Sequence, residues 1–307
     1  MADHAVTLDR VMKRFGATVA VDDVSLEIRR GEMFGLIGPD GAGKTTTIRL
    51  ICGLLRASGG RLAVFGSDPV TDHAAITRSA GYFSQRFSLY GDLSIDENIA
   101  FFAEIHGLTN YDARRDRLLD MTQLTPFRDR LADRLSGGMK QKLALACTLV
   151  HEPQLILLDE PTTGVDPVSR REFWKLLSEF LAQGITIVMA TPYLDEAERC
   201  SRVGLLSGGR LLVVDTPQTL RDSLPGVVLE VLARPQHAAI DALRSLAGVV
   251  DIQSFGERIH VRWTGAGPTA AVDQVERRLA EQRIDVTSVR EIPASLEDVF
   301  INRVAVS

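Results

Sequence analysis

The sequence predicts an α/β protein in two parts: a parallel sheet flanked by helices, then a smaller α/β domain of different character. Three observations carry this reading. Apolar runs of strand length, Met33–Ile37, Leu155–Leu158 and Ile185–Ala190, alternate with loops and helical patterns, as the strands of a parallel sheet do. A glycine-rich loop follows the first run and opens a helix. After about Leu220, short strands and helices come in a new order.

The opening segment reads as strands, with Val24, Leu26 and Ile28 alternating with Ser25, Glu27 and Arg29. Gly31-Glu32 makes a turn into Met33–Ile37. From Lys44 to about Leu55 the pattern is helical, with Ile48, Ile51, Leu54 and Leu55 on one side. Roughly Gln85 to Glu152 is mostly helical, an inserted subdomain of about residues 86–152. Beyond Leu220 the expected order is strand Val227–Leu232, helix His237–Leu246, a hairpin of Val250–Phe255 and Arg258–Trp263 around Gly256-Glu257, helix Ala270–Gln282, strand Val286–Ile292 and a closing helix Ser295–Val304. That is the order of a split-βαβ, ferredoxin-like domain. The boundary is placed at 222/223, with Leu224-Pro225-Gly226 as the joint.

The 307 residues suffice for about two domains, each with its own core. A net charge of -5 provides no global basic field, so nucleic acid is not an expected partner. The start, Met1-Ala2-Asp3-His4, lacks a basic-then-apolar signal, and nowhere do about 18 apolar residues run together. The chain is therefore expected not to span a membrane by itself. Cys52, Cys147 and Cys200 have no metal-ligand or CxxC spacing and read as reduced core or surface thiols.

Gly38-Pro39-Asp40-Gly41-Ala42-Gly43-Lys44-Thr45-Thr46 fits G-x-x-x-x-G-K-[ST] between a strand and a helix. The glycines let backbone N–H groups close around phosphate oxygens, and the helix points about half a positive charge at them. Lys44 would reach the β- and γ-phosphates of ATP, and the Thr45 hydroxyl would ligate Mg²⁺. Leu155–Leu158 then runs into Asp159-Glu160, two carboxylates at a strand end, beside the ligand crevice of such sheets. Asp159 would hold Mg²⁺, and Glu160 would orient and deprotonate the attacking water. Together these motifs describe a P-loop NTPase.

Leu135-Ser136-Gly137-Gly138-Met139-Lys140-Gln141 precedes that acidic strand and opens a helix from Lys140 to about Val150. With this element in place, residues 5 to 220 resemble the ATP-binding cassette family, whose signature begins Leu-Ser-Gly-Gly. The resemblance implies a RecA-like P-loop core with an antiparallel β-subdomain and the inserted helical subdomain. It also implies a second cassette, paired head to tail in a homodimer or heterodimer, with Ser136, Gly137 and Gly138 acting on the partner's nucleotide. Phe15 stands where the family stacks an aromatic on adenine; a core Phe is the alternative. Gln85 matches the glutamine that touches Mg²⁺ and water, or is an exposed loop residue. Asp166, in Gly164-Val165-Asp166-Pro167, matches a loop that crosses the dimer interface, or is a simple Asp-Pro turn.

Three positions depart from the family pattern. Met139 replaces a common Gln, Asp40 replaces a common Asn, and Pro192 stands where the family usually has a His that donates to the γ-phosphate. The last implies slow or partner-assisted hydrolysis, with Thr191 or a water substituting in part. Translation-type members carry two cassettes per chain and repair types insert coiled coils; neither feature is present in this sequence. Gln85–Ser94 and Ser295–Phe300 resemble ATPase subunits of drug and antibiotic exporters of the daunorubicin-resistance kind, though Leu296, Val299 and Phe300 have packing spacing. The resemblance thus implies an ATPase at the cytoplasmic face of the membrane, powering a separate integral-membrane permease. A hydrolysis-impaired regulatory module paired with a competent cassette is the other reading.

Overall fold

The parallel sheet forms because its strands are apolar on both faces. Met33–Ile37, Leu155–Asp159 and Thr186–Thr191 are buried at every residue, as strands covered by helices on both sides must be. This computed structural model describes residues 4–85, 89–265 and 267–306; Arg86, Phe87 and Ser88 of the exporter-like stretch, and Met1 to Asp3 of the start, lie outside them. The chain divides into two units, Met1–Thr216 and Pro217–Ser307.

In the first unit a six-stranded sheet runs in the order Ala80–Phe83, Leu155–Asp159, Thr186–Thr191, Met33–Ile37, Arg202–Ser207, Arg210–Asp215. The first five are parallel, and only the last pair, a hairpin, is antiparallel. A second, antiparallel sheet places His4–Phe15 between Thr18–Arg29 and Gly59–Val64. Val24, Leu26 and Ile28 point inward and Ser25, Glu27 and Arg29 outward, as their alternation predicts. One core, including Leu8, Leu26, Phe34, Ile48, Leu157 and Val188, joins the two sheets.

The helical segment consists of Ile95–Ile105, Asp112–Thr122 and Gly137–Leu149. Ser94 and Glu97 close a capping box: the Glu97 amide donates to Ser94 Oγ at 3.2 Å and the Ser94 amide to Glu97 Oε2 at 2.7 Å. Fully buried Asn98 clasps the preceding turn, accepting from the Tyr90 amide at 2.9 Å and donating to the Tyr90 carbonyl at 3.0 Å.

The helix expected over Lys44–Leu55 ends earlier, at Ile51. Gly53 takes φ 71° and lies so close to Pro69 that a Cβ would meet its carbonyl. The chain thus leaves the helical path, and Leu54 is 53% exposed rather than on the buried side. All three cysteines are buried and free.

The second unit is a four-stranded antiparallel sheet in the order Val249–Phe255, Arg258–Trp263, Val227–Arg234, Asp285–Ile292. Helices Gln236–Arg244 and Pro268–Glu281 supply Ala239, Leu243, Val275 and Leu279 to its core. The two strands joined by the first helix are separated by a third, which is the split-βαβ arrangement. The division falls at 216/217 rather than 222/223, because Pro217–Asp222 forms a short helix that packs on the closing helix Leu296–Val306. Leu220, Leu296 and Val299 are buried and Phe300 is half-buried, which fits the packing spacing read from the last three.

Gly53→Ala, forced into the left-handed region against Pro69, is expected to lose at least about 1–2 kcal/mol, read as a lower unfolding midpoint. Burial pushes all three thiols up, Cys200 to about 12. A thiol reagent at mildly alkaline pH is therefore expected to label none of them until the protein is unfolded.

Candidate functional site

Parallel pairing puts the carboxyl ends of adjacent strands at one edge of the sheet. Gln85, Glu160, Pro192 and Gly38 follow four strands that lie side by side, so residues up to about 150 positions apart emerge together by this rule.

The loop from Gly38 to Gly43 turns into the helix Lys44–Ile51 through Gly41, at φ 79°, and Gly43, at φ 102°. A Cβ at Gly43 would meet the Ala20 carbonyl, which is why glycine is required there. Lys44, 4% exposed, curls inside the loop; its Nζ donates to the carbonyls of Gly38 at 2.8 Å and Pro39 at 3.0 Å. Nζ is also 3.9 Å from Glu160 Oε1. Asp40 is exposed, so its carboxylate is solvated. Thr46 lies in the first turn of the helix, and Ala42 is buried beneath the loop.

Asp159 has no exposed surface. It accepts from Thr45 Oγ1 at 2.8 Å and from the Tyr82 hydroxyl at 3.3 Å. Burial, and then the Asp159 charge, push that phenol above its ordinary range against the pull of Arg49. Glu160 has φ 49°, left-handed for a residue with a Cβ, and its amide donates to the Ala190 carbonyl at 2.9 Å. Its side chain is 12% exposed and is gripped by Gln85 Nε2 at 3.0 Å and Thr163 Oγ1 at 3.4 Å. Gln85 is exposed, yet its amide is spent on Glu160.

Ser136 caps the helix Gly137–Leu149, its Oγ accepting from the Met139 amide at 3.3 Å; the helix starts three residues before Lys140, where the sequence reading placed it. Gly137 faces open space, whereas Gly138 packs against Ser169 with no room for a Cβ. Asp166 caps the helix Pro167–Ala182, accepting from the amides of Val168 and Ser169, each at 3.0 Å. The Ser169 hydroxyl foremost, and then these amides, hold its carboxyl below the usual range. Phe15 is 48% exposed with Lys13 Nζ 4.9 Å from its ring centroid, so it is not a core residue.

Thr191 is not available as the substitute donor beside Pro192. It is fully buried, its one hydroxyl proton is donated to Glu196 Oε2 at 2.7 Å, and its oxygen accepts from the Tyr193 amide at 3.0 Å. Five contributors were missed from the sequence: Tyr82, Gln141, Thr162, Thr163 and Glu196. Gln141 Nε2 donates to the Pro161 carbonyl, tying the Ser136 helix to the loop after Glu160. A glutamine sharing the face of buried Gly138 and Leu145, three and four residues away, was the available signal. Glu196, on a four-residue helix, carries no periodic signal at all.

Thr45 and Asp159 bring a hydroxyl and a carboxylate oxygen together, the hard-donor set that suits Mg²⁺ beside phosphate oxygens. Among the described residues no group of three or more His, Cys, Asp or Glu side chains is placed to hold a metal ion.

This sheet, with its phosphate-type loop and acidic strand end, defines a P-loop NTPase of the cassette type. A family model described as ABC transporter matches residues 21–163. The chain is 46% identical over 231 residues to a probable multidrug ABC transporter ATP-binding protein of Escherichia coli, covering 74% of this chain but 40% of that one. It is 34% identical over 308 residues to a daunorubicin resistance ATP-binding protein of Streptomyces coeruleorubidus, covering 98% and 96%. A Nod factor export ATP-binding protein of Paraburkholderia xenovorans is 35% identical, with 98% and 97% covered. The solved ATP-binding subunit of an ABC transporter superposes with TM-score 0.65 at 30% identity, over 71% of this chain and 92% of that one. A cassette solved as a dimer in a post-hydrolysis state with ADP and Pi gives 0.62 at 27% identity, over 69% and 98%. The chain belongs to the ATP-binding proteins of the ABC transporter family.

Gly138→Ala is expected to push its helix off Ser169 and destabilise the fold by about 1–3 kcal/mol. Adding Ser169→Gly should restore most of the loss in a denaturant-unfolding cycle, because the two positions share one contact.

Proposed function

We propose that this chain binds and hydrolyses ATP to power export of a small molecule, drug-like, antibiotic or lipid-like, through a separate membrane permease. The observation that carries the hydrolytic part is the convergence of Lys44, Thr45, Asp159, Glu160 and Gln85 at one sheet edge. The names of its full-length relatives, in daunorubicin resistance and Nod factor export, support the exporter part. No helix among the described residues is long and apolar enough to cross a membrane.

Each residue has a stated task. The amides of residues 38–46 and the helix start would hold the phosphates. Lys44 exchanges its two carbonyl acceptors for β- and γ-phosphate oxygens. Thr45 and Asp159 would hold Mg²⁺, which when bound offsets phosphate charge and orients the terminal group. Glu160, aimed by Gln85 and Thr163, accepts the proton of the attacking water. Phe15, exposed at its strand end, stacks on adenine. Two copies, or this cassette and another, close head to tail around ATP, with Ser136, Gly137 and Gly138 aiming a helix N-terminus at the partner's nucleotide and Asp166 lying along the interface. A related cassette solved as a dimer with ADP and Pi supports the pairing of two cassettes.

One observation favours a second reading, an ATP-binding module that leaves hydrolysis to a stronger partner cassette. Pro192 has no side-chain donor, and Thr191 is committed to Glu196. Losing one preorganised donor costs on the order of 10²–10³ in rate.

Mg²⁺-ATP turnover by the purified protein tests both. Wild type is expected to turn over slowly, Glu160→Gln to lose about 10²-fold, and Pro192→His to gain about tenfold. Lys44→Ala is expected to weaken ATP binding itself. ATP binding without any wild-type turnover would sink the first reading in favour of the second.

A further inference from the structure

A carboxylate with 1% of its surface exposed sits just beyond the strand end that carries Pro192, on the short helix Leu194–Ala197. Glu196 is reached from three separate segments. Thr162, two residues after Glu160 and itself 1% exposed, donates its hydroxyl to Oε1. Thr191, the last residue of its strand, donates to Oε2 at 2.7 Å. Arg170, on the helix capped by Asp166, brings Nε to 3.8 Å of Oε1; its guanidinium also lies 3.5 Å from Asp195 and 4.9 Å from the Tyr193 ring centroid.

A buried carboxylate stripped of water must be met by donors, and an unmet one costs several kcal/mol. Here the two hydroxyl donors come from different segments, the loop after Glu160 and the strand end before Pro192. Neither segment can shift alone without leaving the carboxylate short, which couples them. The segment after Glu160 is held hardest: Thr162 is fixed by Glu196 on one side, and Pro161 is fixed by Gln141 on the other.

We infer that Glu196 is a positioning residue for ATP hydrolysis: through Thr162 and Thr191 it fixes the Glu160 loop and the turn at Pro192, and so holds the Glu160 carboxylate where the attacking water must lie. The inference rests on the hydrolytic reading above. With no donor at Pro192, the rate depends more heavily on how well Glu160 is held, and misplacement by about 1 Å costs about 10²-fold in rate. Glu196 touches no substrate; its effect passes through the two threonines.

The test compares wild type, Glu196→Ala, Glu196→Gln and Thr162→Val in Mg²⁺-ATP turnover, ADP binding and thermal unfolding. Glu196→Ala is expected to lower kcat by about 10-fold or more with KM and ADP affinity within about 2-fold of wild type. Glu196→Gln keeps the shape and one acceptor, and Thr162→Val removes one donor, so both should fall between Glu196→Ala and wild type. A folded Glu196→Ala with unchanged kcat overturns the proposal, as does a loss of turnover matched by an equal loss of ADP binding. Should Glu196→Ala fail to fold, an unchanged kcat in Thr162→Val overturns it instead. A wild type without turnover overturns the hydrolytic reading and this one together; a wild type that turns over beside indifferent variants overturns this one alone.

Discussion

Asp159 ends a strand whose every residue is buried, and its own carboxylate has no contact with solvent. A group in that position is tolerated only when donors are brought to it, and the donors available are Thr45, on the first turn of the helix after the glycine loop, and Tyr82, on the neighbouring strand. Satisfying one carboxylate therefore fixes three elements relative to one another. The glycine loop hangs from the helix that Thr45 anchors, Lys44 fills that loop, and Glu160 leaves Asp159 in a left-handed turn that keeps it beside Lys44. The rest of the nucleotide edge is built outward from this contact.

The parallel sheet is what makes such a construction possible. In an antiparallel sheet, consecutive strand ends alternate between two edges. Here four neighbouring strands deliver their following loops to the same edge, and the cross-links between those loops are made by side chains rather than by the ladder. Gln85 reaches Glu160 from one side, and Glu196 reaches Thr162 and Thr191 from the other. The helix that Ser136 caps enters the same network through Gln141 and through the close approach of Gly138 to Ser169. That helix is therefore tied, within one chain, to the loop that follows Glu160.

The second unit repeats the same rule on a different sheet. Glu230, 3% exposed in the middle strand, accepts from Arg290 at 2.7 and 2.9 Å and from Arg258 at 3.0 Å. Arg290 foremost holds that carboxyl below its usual range. Both arginines come from strands flanking the one that carries Glu230, so the ion pairs also favour the observed register over a slipped one, in which charge and apolar faces would be exchanged.

The sequence by itself determined much that depends on near neighbours. The spacing of Gly38, Gly43, Lys44 and Thr45, the run of Leu155–Leu158 into two acids and the strand and helix order after Val227 are local patterns, set by backbone sterics and hydrophobic period. Only the tertiary structure decided where long-range contacts override them. Gly53 stops a helix because Pro69 passes close by, and the boundary moves to Thr216 because Leu220 finds the closing helix. Thr191 is withdrawn from the nucleotide edge because Glu196 needs its proton, and exposed Gln85 has a task because Glu160 lies across from it. The first two outcomes turn on which distant segments pack together and the last two on which polar group is satisfied by which distant donor, pairings that the tertiary fold sets and that no window of sequence contains.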